Sequence, residues 1–456
     1  MTQKIVFCFH TNDHEYNMGI GFLSSFLKKN GVDVGLVIYR EIEGKVKDSP
    51  EDVVKRILEQ CPTIVAFSVM TFNWHLIKKV IDLLRGSYGG LVAVGGYHAI
   101  LAPKEVLGHP GVDVICIGEG EEPLLKLAQY CATSGQKDFP DIAGLVFRER
   151  PSATGWKRWL VEKLEDYPYM DFGLFDDEGP NRLSEKFLGT LSPAGIFSLP
   201  VITGRGCPFK CTYCSNSALI ESYGGIKRFL RRYNVGTAVE NMKEAADRYR
   251  PQFLEFLDET FTLNKAWIKE FCSRYKHDVG LPFSVMSRID TMDEGIVSVM
   301  VESGLKLVFF GLESGDEEYR IKYLNRKMFN ETIVEGAKIL KKYGVMIVTF
   351  NIFGMPFETK DAVKKTFDLN ACIEPDAAIP FIYQVFPATE LARIAYKNNM
   401  VPPRPEGRWD YCTPSLDTAE LPAADVIGIV EDFREKFGNP DVVERVYSRL
   451  REIIAS

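Results

Sequence analysis

The sequence predicts an α/β protein of two successive domains, each built on a mainly parallel sheet. Over roughly the first 140 residues, apolar segments at 5–9, 34–39, 64–69, 91–94 and 112–117 alternate with amphipathic helical patterns. A second alternation, six strand-then-helix units, begins near residue 199. Both sets of strands are apolar almost without interruption, as parallel strands buried on both faces must be. A chain of 456 residues also exceeds the usual size of one domain. The expected organisation is a flavodoxin- or Rossmann-like domain over 1–140, a linker over 141–196, six β/α units over 197–390 and a small, mainly helical region over 391–456.

Each element has a local cause. In the first domain, Leu23, Phe26 and Leu27 form one helical stripe, closed by Lys28, Lys29 and the cap glycine Gly31. Leu76, Ile77, Val80, Ile81 and Leu84 form another, closed by Arg85 and Gly86. In an open sheet of this type the ligand site lies beyond the carboxyl ends of the strands. There the chain places Gly95-Gly96-Tyr97-His98 after the fourth strand and Gly118-Glu119-Gly120-Glu121 after the fifth. Glycines at such ends let a bulky ligand or another backbone come close.

Residues 145–148 and 157–161 are expected to pair as a short hairpin, followed by a loop-rich tract containing Pro168, Gly173, Pro180 and Pro193. The second strand series falls at 200–203, 253–257, 283–287, 307–311, 346–353 and 381–386. Thr237 and Glu240 form a capping-box pair opening the first long helix. Polar residues stand at or near the strand tips: Glu255, Asp258, Arg288, Glu313 with Ser314, and the turn Gly354 to Pro356. Glu358 is expected to cap the helix that follows that turn.

The first strand of this series runs straight into GRGCPFKCTYCSN, where Cys207, Cys211 and Cys214 have the spacing C-x3-C-x2-C. Three thiolates on one loop suit three corners of a [4Fe–4S] cubane, for which cysteine is the usual ligand. The absent fourth ligand leaves one iron open to a small molecule. Structural zinc is the other reading of a cysteine-rich loop, but it prefers four ligands, commonly as two C-x2-C halves. Cys8, Cys61, Cys116, Cys131, Cys272, Cys372 and Cys412 are expected to be buried small hydrophobes.

This cysteine spacing resembles that of the radical S-adenosylmethionine (SAM) enzymes, in which the open iron chelates SAM and an electron splits it to a 5′-deoxyadenosyl radical. The resemblance implies a partial (β/α)6 barrel over residues 197–390. It implies SAM contacts from Tyr213, Glu255, Asp258, Arg288, Glu313, Ser314, Gly354 and Pro356. The first domain, with GIGFLSSFLKKNG and GGYHAILAPKEVL, resembles the cobalamin (B12)-binding domain that precedes many of these enzymes. That likeness implies cobalamin contacts from Ser68, Gly95, Gly96, His98, Gly118, Glu119 and Gly120. The D-x-H-x-x-G motif that supplies a cobalt ligand elsewhere is absent, since Asp13-His14 has the wrong spacing. Where relatives often have P-G-T, this chain has Pro387-Ala388-Thr389.

Taken together, the resemblance implies a class B radical SAM methyltransferase, which methylates an unactivated carbon with [4Fe–4S], SAM and cobalamin as cofactors. Ring formation, C–C coupling or rearrangement by the same radical, and a cluster- and corrin-binding sensor without turnover, are the other readings. A flavodoxin or ferredoxin-type donor and a small-molecule, lipid or peptide substrate are the expected partners. The net charge of −7 speaks against nucleic acid as a partner. The basic run Lys227, Arg228, Arg231 and Arg232 suits a solvated face, or an anionic group. No signal peptide or bilayer-length apolar run is apparent, and ten cysteines without scaffold spacing fit a cytoplasmic, reducing setting. Trp409, Tyr411 and Cys412 are candidates for lining a C-terminal cover over the barrel mouth.

Overall fold

The computed structural model describes residues 3–11, 16–42, 45–134, 139–149, 156–175, 196–403, 413–438 and 440–455. These fall into two compact units, one holding the described residues up to 175 and the other those from 196 onward. Trp409, Tyr411, Cys412, Asp13 and His14 lie outside the described residues.

The first unit is a seven-stranded sheet: β1 (Lys4–Thr11), β2 (Asp33–Ile42), β3 (Lys45–Val46), β4 (Ile64–Ser68), β5 (Leu91–Gly95), β6 (Val114–Cys116) and β7 (Leu145–Phe147). The spatial order is β3-β2-β1-β4-β5-β6-β7. Its five central strands are parallel, so the β-α units run 2-1-3-4-5, the flavodoxin order, with the topological switch between β1 and β4. Val6, Cys8, Val65, Phe67, Val92 and Val94 face helices Pro50–Glu59 and Trp74–Arg85 across one continuous apolar core.

The expected hairpin does not form. β7 pairs antiparallel with β6 and extends the sheet, while residues 157–161 run over the loop after β6. Gly144 N–H donates to Lys157 O at 2.9 Å and Glu119 N–H to Trp159 O at 3.0 Å. A free sheet edge offers β7 a full ladder, which outcompetes an isolated pair of short strands.

The second unit is a six-stranded, all-parallel sheet in sequential order: β8 (Ser198–Val201), β11 (Phe253–Phe256), β12 (Phe283–Ser287), β13 (Leu305–Glu313), β14 (Met346–Phe353) and β15 (Ala377–Ile382). A two-stranded antiparallel ribbon, β9 (Gly204–Arg205) with β10 (Arg231–Arg232), sits beside it. The last strand lies four residues earlier than expected, and the apolar run to Phe386 continues beyond it as loop. Asn234, and not Thr237, caps helix Val235–Tyr249, its Oδ1 accepting from Thr237 N–H at 2.9 Å.

Phe253, Leu307, Phe309, Met346, Val348 and Ala377 share one face of this sheet with Val446 and Leu450 of helix Pro440–Ala455. Because Phe253, Met346 and Ala377 open their strands, that helix covers the amino edge. Helix Ala423–Phe437 packs on the other face, through Val426, Val430 and Phe433 against Phe353, Ala378 and Ile382. Val426 of the latter helix also lies against Gly354, in the turn after β14. Cys8, Cys116, Cys131 and Cys272 are buried, whereas Cys61 and Cys372 are exposed. No helix among the described residues is long and apolar enough to cross a membrane.

Candidate functional site

The three cysteines sit on a loop that the fold pins at both ends. At its start, the Asp258 carboxylate accepts from Thr203 N–H at 2.9 and 3.1 Å and from Thr203 Oγ1–H at 2.7 Å. The ribbon then brings Arg231 and Phe229 so near that only glycine fits. A Cβ on Gly204 would lie 2.7 Å from Arg231 O, and one on Gly206, where φ is +92°, 2.5 Å from Phe229 O. Between the second and third cysteines, Thr212 N–H donates to Leu324 O at 3.1 Å and its hydroxyl to Tyr323 O at 2.7 Å. Leu391 N–H donates to Thr212 O at 2.9 Å. Cys214 caps helix Ser215–Ser222.

Cys207 and Cys211 are buried and Cys214 half-buried. Burial raises the thiol pKa of Cys207, and pushes that of Cys214 up to about 12, with the neighbouring Cys211 and Cys207 acting in the same sense. In the free loop Cys207 and Cys214 are thus neutral thiols, and binding iron must displace their protons. Among the described residues no three ligating side chains converge on one point, as a single ion would require. A cubane, whose ligands sit on separate irons, calls for no such convergence.

Around this loop the predicted SAM residues divide. Glu313 ends β13 in the left-handed region, φ +67°, beside a register shift in the ladder. Such strain in a glutamate persists only where surroundings enforce it, and it is a mark of functional sites. The residue is 8% exposed, burial raises the pKa of its carboxyl group, and the carboxylate accepts from Tyr213 O–H at 2.9 Å. Ser314 is buried beside it, its hydroxyl accepting from Asp316 N–H. The turn Gly354–Pro356 is held from below. Gly354 (φ +78°) donates its N–H to Glu358 Oε2 at 2.7 Å, and Pro356 O accepts from Tyr319 O–H at 2.7 Å.

Other assignments change. Asp258 is spent on Thr203 and on Arg232, whose Nη2 lies 3.6 Å away, so it supports the loop. Glu255 faces inward below the strand tip, bound by Ser198 Oγ–H at 2.5 Å. Arg288 gives two donors to Asp290, at 3.0 and 2.6 Å, and stacks 3.9 Å from the Phe209 ring inside the cysteine loop. Glu358 caps no helix. Thr359 caps Lys360–Ile373, while Glu358 is fully buried with Oε1 lacking a hydrogen-bond partner.

One residue escaped the sequence reading. Arg326 is 5% exposed, with Nη1 3.8 Å from Cys211 Sγ and 3.4 Å from Tyr213 Oη, and Nη2 donating to Gly311 O. Only the fold, through the contacts of Thr212 with Tyr323 and Leu324, brings it to the cysteines.

In the first unit the strand-end glycines also divide. A Cβ on Gly118 would meet Trp159 O at 2.4 Å, and one on Gly96 (φ +92°) Val69 O at 2.6 Å, so the chain itself requires both. Gly120 lies against Leu23, and the Glu119 carboxylate accepts from Val161 N–H at 2.6 Å. His98 is 2% exposed, with Nδ1 3.2 Å from Thr71 Oγ1, Nε2 3.5 Å from Glu105 and its ring against Trp74. Gly95 is different, since a Cβ there would meet only Cys116 Cβ, at an ordinary 3.5 Å. Around it stand half-buried Ser68 and two large exposed apolar side chains, Met70 (37%) and Tyr97 (42%). A flat, mostly apolar macrocycle fits an edge of that kind.

Comparison with known proteins agrees with both halves. Residues 201–369 match the model of the radical SAM superfamily, and residues 6–128 that of the B12 binding domain. An uncharacterized methyltransferase of Pyrococcus horikoshii is 26% identical over 84% of this chain and 79% of its own. Cytidylyl-2-hydroxyethylphosphonate methyltransferase of Streptomyces wedmorensis is 24% identical over 75% of this chain and 69% of its own. Among solved structures, the radical SAM methyltransferase TsrM of Kitasatospora setae, with cobalamin and [4Fe–4S] cluster bound, superposes with a TM-score of 0.68. It shares 17% identity over 89% of this chain and 80% of its own. The cobalamin-dependent radical SAM enzyme OxsB, with aqua-cobalamin and SAM bound, gives 0.68 at 16% identity over 100% of this chain and 71% of its own. The cysteine loop lies inside the stretch that matches the radical SAM superfamily, and the stretch that matches the B12 binding domain precedes it, so this chain is an enzyme that joins a B12-binding domain to a radical SAM domain.

Proposed function

We propose that this protein is a cobalamin-dependent radical SAM methyltransferase acting on an unactivated carbon of a small-molecule, lipid or peptide substrate. The carrying observation is the three-cysteine loop, braced by Asp258 and roofed by Glu313, in a chain that also bears a B12-binding domain. Bound together, the cluster and SAM supply a 5′-deoxyadenosyl radical and the corrinoid supplies the methyl group.

The residues of this chain hold and orient those groups. Cys207, Cys211 and Cys214, once deprotonated, ligate three irons. Glu313, with Tyr213 and Ser314 beside it, receives the SAM ammonium. A buried carboxylate gains most from a cation placed in reach. The Gly354–Pro356 turn, fixed by Glu358 and Tyr319, backs the adenosyl group. Arg288, already paired with Asp290, keeps the Phe209 side of the loop in place. In the first unit Ser68, Gly95, Met70 and Tyr97 receive the corrin. The setting is cytoplasmic, with a flavodoxin or ferredoxin-type donor.

Anaerobic turnover separates the outcomes. Methyl transfer yields S-adenosylhomocysteine and 5′-deoxyadenosine together, and a corrin absorption spectrum should appear with added hydroxocobalamin. Cys211→Ala should abolish both the cluster spectrum and 5′-deoxyadenosine. Production of 5′-deoxyadenosine alone favours the second reading, ring formation. That reading draws support from a relative over 91% of this chain, the anaerobic magnesium-protoporphyrin IX monomethyl ester cyclase of Cereibacter sphaeroides, 23% identical.

A further inference from the structure

Arg326 is a buried cation that no carboxylate among the described residues touches: Glu313, the buried acid that acts on it, is reached only through the shared Tyr213 hydroxyl. The hydrogen-bond partners of Arg326 are a sulfur, a phenol and a backbone carbonyl: Cys211 Sγ, Tyr213 Oη and Gly311 O. Among the described residues no carboxylate comes within ion-pair distance of it, and its Nε is buried without a hydrogen-bond partner. A guanidinium taken out of water without a contacting anion is strongly unfavourable. Other buried arginines here are settled differently. Arg320 spreads its donors over Ser314 O, Met328 O and Asn330 Oδ1, and Arg232 lies 3.6 Å from Asp258. Besides Glu313, the groups that can balance Arg326, and the ones in direct contact with it, are the thiolates, because a resting cubane with three thiolates is anionic and becomes more so on reduction.

We propose that Arg326 is a positioning residue for the cluster, fixing the Cys211 thiolate by an N–H···S bond and raising the reduction potential through its positive charge. Hydrogen bonds to the sulfurs and net charge near the cluster are established determinants of that potential. A cation in contact with a ligand sulfur favours the reduced state, which carries the extra electron. The effect matters here because a very low-potential cluster is hard to reduce with a flavodoxin or ferredoxin-type donor. The inference rests on the cluster reading above, and the experiment keeps the two apart.

Full-length wild type, R326Q and R326K are reconstituted anaerobically with iron and sulfide. Iron content is measured first, then the fraction of reduced cluster by electron paramagnetic resonance at one fixed reducing poise, without SAM. R326Q with full iron should hold a reduced-to-oxidised ratio about tenfold or more below wild type. R326K should recover most of it. If R326Q fails to load while R326K loads, the charge argument also stands. An unchanged ratio in fully loaded R326Q overturns the proposal, as does loss of iron in both variants with circular dichroism intact, which would assign Arg326 to packing. A wild type that takes up no cluster would sink the functional reading itself, a distinct result.

Discussion

The carboxyl edges of the two sheets are built from different materials. On the first, small residues line the strand ends, Ser68, Gly95, Gly96 and Gly118, with Met70 and Tyr97 exposed nearby, and the Glu119 carboxylate beside them is spent on Val161 N–H. On the second the residues are charged and buried: Asp258, Arg288, Glu313 and, from a following loop, Arg326. An edge of small residues accepts a large body by shape, and an edge of buried charges accepts a small one by electrostatics. In both, the informative residues are those whose type the chain does not itself require. Gly118 is required by Trp159 and Asp258 by Thr203, whereas Gly95 has no such internal reason, and strained Glu313 and Arg326 answer to each other only through the Tyr213 hydroxyl.

That division can be tested residue by residue. The largest effect is expected at Asp258, where D258A strands Arg232 and the Thr203 donors in a buried site. It should cost about 3 kcal/mol or more, seen as a lower urea midpoint at unchanged slope. Next comes a contrast within the first edge. G118A forces Trp159 to move and should cost about 1–3 kcal/mol. G95A should stay within about 0.5 kcal/mol of wild type yet bind hydroxocobalamin about tenfold more weakly in a spectral titration. Equal binding by G95A would remove that strand end as the corrin seat.

Glu358 gives a pH test. Burial raises its pKa from 4.5 to about 8, against the pull of the Gly354 and Met355 N–H groups. Between those values the unfolded chain has released a proton that the folded one keeps. Stability is therefore highest below the window and falls as pH rises through it, by at most about 1.4 kcal/mol per unit. Glutamine keeps the accepting oxygen and does not titrate, so E358Q should flatten this slope in urea midpoints measured from pH 5 to 8. The smallest effect belongs to Ala388, which sits at φ +63° where relatives often carry glycine. A388G should add about 0.5 kcal/mol.

Much of the fold was legible because the strands are compact apolar runs, and five of the second series begin within two residues of where periodicity puts them. The sixth slipped because β15 contains Pro380, which an edge strand tolerates, while the more apolar 381–386 looked like the strand. The cysteines were legible because their spacing is local. Asp258 was misjudged because its partner Thr203 stands 55 residues upstream. Arg326 was invisible because its partner Cys211 is 115 residues away, and nothing around it in sequence marks it. Glycine pairs spoke only of close approach. Whether backbone or ligand does the approaching is a three-dimensional fact.

Helix Pro440–Ala455 has one further consequence. Its Val446 and Leu450 cover strand starts laid down long before it, and Arg449 reaches back to Asp376 at 2.9 Å. During translation that greasy floor waits, bare, until a distant segment emerges from the ribosome. Chaperone dependence and loss of yield on trimming this helix should follow, well away from any cofactor.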